Sequence, residues 1–158
     1  MPHSSLTVEI SRNSEGWPEA LDARAEEAVR AALAQSRATI AGPAELSIVF
    51  TSDAEQRVLN RDWRGIDRST NVLSFPQIEP FGPVAGMLGD IVLARETVLK
   101  EAEEQGISFE DHVTHLLVHG FLHLLGYDHV DDDEALAMER LETQILASLG
   151  VADPYAED

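Results

Sequence analysis

The chain contains no cysteine. Disulfide staples, thiolate nucleophiles and sulfur-lined metal cages are therefore all unavailable to it. Bases are scarce as well: 11 Lys and Arg stand against 29 Asp and Glu, for a net charge of −18. Affinity for a polyphosphate comes mostly from cations that neutralise phosphates, so this balance speaks against broad nucleic-acid binding over the whole surface. No apolar run approaches the roughly 20 residues of a membrane span. The stretch Met1-Pro-His-Ser-Ser5 has neither the basic nor the apolar region of a signal peptide, so the expected location is the cytoplasm.

What remains is 158 residues, 44% of them hydrophobic: enough for one packed domain and short for two. Leu6, Val8 and Ile10 alternate with polar residues as a first strand, and Pro18 opens an alanine-rich helix to about Gln35. Beyond Gly42-Pro43, Leu46, Ile48 and Phe50 alternate as a second strand, after which Ser52 or Asp53 can cap a helix running through about Trp63. Asn71 to Phe75 reads as a third strand, stopped by Pro76. The proline- and glycine-rich stretch 76–86 reads as a loop, and Leu88 to Leu93 as a fourth strand. A helix from Arg95 to Gln105 ends at Gly106. Ser108 and Asp111 then form a capping box for a helix over about 109–125. Asp131, Asp132 and Asp133 offer a cap, and Leu136, Met138, Leu141, Ile145 and Leu149 mark a last amphipathic helix ending at Gly150. The expectation is a single α+β domain over 1–158, a mixed sheet of about four strands packed by about five helices. Residues 1–4 and 152–158 read as disordered tails.

The most informative segment is His119-Gly-Phe-Leu-His123-Leu-Leu-Gly126-Tyr-Asp-His129. On a helix, His119 and His123 lie about 40° apart in azimuth and roughly 6 Å apart along the axis, so both rings can reach one ion. Gly126 is a natural helix stop, and the returning chain can deliver His129 from outside the helix. Three imidazoles with a fourth position open suit one catalytic zinc ion. His112 and His115 continue the same face and read as core groups or as groups supporting the ligands, His115 being the nearer. The helix is apolar on nearly every side, so the metal site is expected on a buried helix and its return loop.

A zinc ion with an open position activates water and polarises a carbonyl or phosphoryl oxygen, so hydrolysis is the expected reaction class. A large group of metallopeptidases shares this histidine spacing but carries a glutamate base directly after the first histidine. Here that residue is Gly120. A metalloprotease or amidase is therefore the disfavoured alternative, and a ribosome-assembly adaptor with a structural zinc is a third.

Together with Arg64, the run Thr70-Asn-Val-Leu-Ser-Phe-Pro76 and the element Leu88-Gly-Asp-Ile91, the histidine segment resembles the YbeY family of bacterial endoribonucleases. The resemblance implies a zinc-dependent, single-strand-specific endoribonuclease of ribosomal RNA maturation and ribosome quality control. Its partners would be single-stranded RNA and the small ribosomal subunit, with neither DNA nor a membrane. It carries the metal ligands onto His119, His123 and His129, and the functional arginine onto Arg64. Arg57, Arg61, Arg64 and Arg68 lie within twelve residues opposed only by Asp62 and Asp67, a local excess of two positive charges in an acidic chain. Charge alone would make them a solvated helix face. With the resemblance, Arg64 becomes a phosphate clamp, Arg61 and Arg68 its neighbours on the substrate, and Asp128 a weaker candidate for taking the proton.

Overall fold

A computed structural model describes residues 6–36, 38, 40–127 and 131–154. Nine elements follow in chain order: β1 (Leu6–Arg12), α1 (Leu21–Gln35), β2 (Ile40–Thr51), α2 (Asp53–Arg64), β3 (Val72–Pro76), β4 (Val84–Ala94), α3 (Arg95–Gln105), α4 (Phe109–Leu125) and α5 (Asp132–Ser148). This is the mixed four-stranded α+β domain with five helices that the sequence predicts. The strand order is β1-β2-β4-β3, with β1, β2 and β4 parallel and β3 antiparallel on the edge of β4.

The two faces of the sheet are covered unequally. Leu46, Ile48 and Phe50 alternate onto one face and are buried there. On that side α4 packs against β3 and β4 and is enclosed by α1, α3 and α5. Leu117, Val118, Phe121 and Leu122 of α4 are all fully buried. Such a helix cannot lie at a surface; the apolar sequence of α4 calls for an enclosure on several sides. The neighbours Ser74 and Phe75 point to opposite faces, so Ser74 meets α4 at Gly120 while Phe75 faces a groove that α2 overhangs. Gln56 fastens α2 to the sheet, donating through Nε2 to the Val92 carbonyl at 2.9 Å.

Boundaries differ from the sequence reading where tertiary pairing overrides local pattern. Helix α1 begins at Leu21 because Pro18 to Ala20 form a turn, with the Leu21 and Asp22 N–H groups donating to Pro18 and Glu19 carbonyls. Strand β2 starts at Ile40 and carries Gly42-Pro43 inside it. A register shift against β4 between Ile40 and Ala44 accommodates them, and proline is tolerated at such irregularities. Strand β4 begins at Val84, inside the stretch read as loop. Its Gly89 has φ +142°, and an added Cβ would lie 2.3 Å from the Phe75 carbonyl oxygen. The expected tail from 152 is described as far as Pro154, and Asp153 accepts a hydrogen bond from Thr143.

Gly126 ends α4 at φ +116°. A Cβ there would sit 2.7 Å from the Phe81 nitrogen and 2.8 Å from the Pro80 Cα. The Phe81 N–H donates to the Leu125 carbonyl at 2.7 Å, so the loop between β3 and β4 is seated on the end of the histidine helix. Gly126→Ala combines backbone strain with a clash against main chain, and a loss of about 2 kcal/mol or more is expected in urea unfolding. A loss below about 0.5 kcal/mol would mean that the loop yields freely.

Candidate functional site

Helix α4 is started by Ser108, whose hydroxyl accepts from the Asp111 N–H, and it presents His112, His115, His119 and His123 along one stripe. Ring centroids follow one another at 6.1, 6.3 and 4.5 Å. The last pair converges most closely: Nε2 of His119 and Nε2 of His123 are 3.0 Å apart. Two imidazole nitrogens at that distance must share a proton or a cation, because two bare lone pairs would repel. Nδ1 of His119 lies 2.5 Å from a Glu142 carboxylate oxygen, and with the ring proton on Nδ1 the Nε2 lone pair is turned toward His123 and the cleft.

Glu142 was not singled out from sequence. Its side chain is 1% exposed, so the carboxylate requires a partner, and α5 carries it between the buried Met138 and Ile145 on the core-facing side. The signal existed: Met138, Glu142 and Ile145 fall at i, i+4 and i+7, and an acid inside an apolar stripe is informative. A second polar chain runs beside it. Asn71 donates through Nδ2 to Glu101, and the same Glu101 oxygen lies 2.9 Å from Nε2 of the buried His112. His112 is thus a core group, as expected. Between the two chains, His115 is pushed down to about 4, chiefly by burial, against an opposing pull from Glu142.

His119 and His123 line a cleft of about 560 Å³ that Arg64, Asn71, Ser74 and Tyr127 also line. Arg64 reaches it because α2 extends to that residue and stops at Gly65, with φ +72°. Arg64 also borders a neighbouring cavity that contains Arg68. The remaining arginines are deployed differently. Arg57 forms two hydrogen bonds with Asp67, which hold the carboxyl below and the guanidinium above their ordinary values. Arg61 lies against Asp62 at 3.2 Å and lines neither cavity. Asp128 and His129 lie outside the described residues, and among those described no three metal-type donors come together. Gly120 packs under the sheet, where a Cβ would lie 3.1 Å from both Ile91 Cγ2 and Ser74 Oγ. A larger side chain at that position would press on both, and they would have to give by a few tenths of an ångström.

Under a mixed sheet, the buried helix α4 presents paired imidazoles to a polar cleft that Arg64 of α2 also lines, an arrangement suited to an anionic substrate. Over residues 9–150 the chain matches the family model described as Endoribonuclease YbeY, and it belongs to that family of nucleases. It is 53% identical to the Endoribonuclease YbeY of Agrobacterium fabrum, across 97% of this chain and 96% of the relative. The Bradyrhizobium protein of the same name is 48% identical, across 99% and 97%. The fold is similar to the solution structure of TM1509 from Thermotoga maritima, with a TM-score of 0.57 at 23% identity, covering 96% of this chain and all of that one. Among the described residues no helix is long and apolar enough to cross a membrane.

Burial favours the neutral form of His115 in the folded state. Its folded value of about 4 lies below the ordinary 6.5, so its contribution to stability is complete above pH 6.5 and declines as pH falls from 6.5 toward 4. Unfolding in chelator at pH 7 and pH 5 should reveal a loss of about 2 kcal/mol in the parent that is absent from His115→Gln. Equal losses in both proteins would assign the acid sensitivity to other groups.

Proposed function

We propose that the chain is a zinc-dependent, single-strand-specific endoribonuclease that acts in the cytoplasm on ribosomal RNA, in its maturation and quality control at the small ribosomal subunit. The convergence of His119 and His123 in a cleft shared with Arg64 carries this reading. The donor chemistry fits the metal. His119 and His123 would hold one zinc ion with His129, which follows Gly126 by three residues, and neutral imidazoles are ligands that zinc accepts readily. Bound there, zinc supplies a Lewis acid to a phosphate oxygen.

The chain's own residues supply the rest. Glu142 accepts the Nδ1 proton of His119 and so fixes the ring in the tautomer that presents Nε2 to the cleft. Arg64 holds the scissile phosphate through its fork of N–H groups and balances the negative charge that grows as the phosphorus–oxygen bond breaks. Arg68 extends that grip along the strand, and Arg61 adds charge at the approach. Asp128, next to His129 in the sequence, is the candidate to take a proton from the attacking hydroxyl, whether water or the substrate 2′-hydroxyl. Peptide hydrolysis is disfavoured because Gly120, packed close under Ile91 and Ser74, stands where a metallopeptidase carries its glutamate base. The strongly negative surface gives RNA no long-range attraction, so binding is local to the arginine segment and falls steeply with salt.

Arg64→Ala and His119→Ala are each expected to lower kcat on a single-stranded RNA by about 100-fold or more, and chelation should do the same until zinc is restored. Wild-type turnover in either variant overturns the reading. Glu142→Gln should weaken zinc affinity about 10- to 100-fold in competition with a chromogenic chelator. Unchanged affinity would limit Glu142 to a packing role.

A further inference from the structure

We propose that the groove beneath α2 is a nucleobase subsite, in which Trp63 stacks on an unpaired base of the RNA strand whose phosphate lies at Arg64. The proposal rests on the endoribonuclease reading and adds to it the part of the substrate that is gripped besides the backbone.

Trp63 is 76% exposed, which is costly for the largest apolar side chain. The contrast with Trp17 is sharp: that indole is buried, stacked on Phe50 at 4.5 Å, and donates to the Thr51 carbonyl. Among the described residues Trp63 makes no such contact, and it stands over a groove of about 700 Å³ together with Phe75 and Pro76, a size ordinary for a small-molecule site. Aromatic and proline faces with open space between them suit a flat π-system.

The polar edge of the groove identifies which part of a nucleotide enters. Asn13, Gln77 and Asp90 line it, and within the described residues none of their side chains has a hydrogen-bond partner. Two amides and a carboxylate match the mixed donor and acceptor edge of a base. The same carboxylate repels a phosphate, so the backbone must pass elsewhere.

It passes at Arg64. Trp63 and Arg64 are consecutive on α2, so their side chains leave the helix about 100° apart, one toward the groove and the other toward the histidine cleft. Pro76 lines both cavities and forms the ridge between them. One nucleotide laid across that ridge would present its base to Trp63 and its phosphate to Arg64. Both residues come from the turn of helix just before Gly65, so the spacing between base grip and phosphate grip is set by a rigid element.

Steady-state cleavage of a single-stranded oligoribonucleotide by the zinc-loaded protein tests this. Trp63→Ala should raise KM about tenfold with kcat within about twofold, while Trp63→Phe should stay within about threefold of the parent in both. A single abasic site scanned along the oligonucleotide should cost the parent about tenfold at one position near the scissile bond, and cost Trp63→Ala nothing further there. The intact strand should quench parent tryptophan fluorescence, and the strand abasic at that position should not. This last measurement needs no variant to fold. If Arg64→Ala abolishes cleavage but KM is unmoved in Trp63→Ala and no abasic position matters, the subsite is wrong and the endoribonuclease reading stands. If the parent cleaves no single-stranded RNA, that reading fails and takes the subsite with it. If Trp63→Ala keeps its RNA kinetics but no longer co-sediments with small ribosomal subunits, the groove is a protein-binding face and the proposal is overturned.

Discussion

The burial of α4 is the constraint on which the rest of the molecule depends. A helix with Leu116, Leu117, Val118, Phe121, Leu122, Leu124 and Leu125 in its second half must be kept from water on several sides, and the sheet, α1, α3 and α5 provide that enclosure. One stripe is left for polar groups, and the four histidines occupy it. Their rings are consequently held by packing, which lets two nitrogens converge at 3.0 Å without a long or mobile side chain.

That enclosure also explains the buried acid. Glu142 sits in the core-facing stripe of α5, where an isolated carboxylate would be strongly unfavourable, and the His119 N–H gives it a partner. The same contact orients His119. Stability and function are coupled at this point: the group that orients the imidazole toward the cleft is one that could not remain buried without it. Glu101 and His112 repeat the arrangement one element away, with Asn71 linking it to β3 at the edge of the cleft.

Much of the architecture was legible in the sequence because alternation, caps and glycine stops act locally. Ser52, Ser108 and Asp131 cap the helices expected to follow them, and Gly65, Gly106 and Gly126 end helices in the left-handed region. The boundaries that moved did so through pairing: β2 and β4 extend into Gly- and Pro-containing stretches because each has a partner strand to extend along. In the site, the His119 and His123 pair was readable from helical periodicity alone. The four arginines were not separable by charge, since only the fold tells which one meets an acid and which one meets the cleft. Arg57 is taken by Asp67, Arg61 lies against Asp62, and Arg64 faces the histidines.

The sequence by itself determined the helix that carries the histidines, its start and stop, and the absence of a glutamate at Gly120. Each follows from interactions within a few residues of chain. Only the tertiary structure decided that Arg64 shares their cleft from some fifty residues away, that Glu142 orients His119, and that Trp63 is left standing over an open groove. Those relations depend on which elements pack together, and no local periodicity encodes the distance between two faces of different helices.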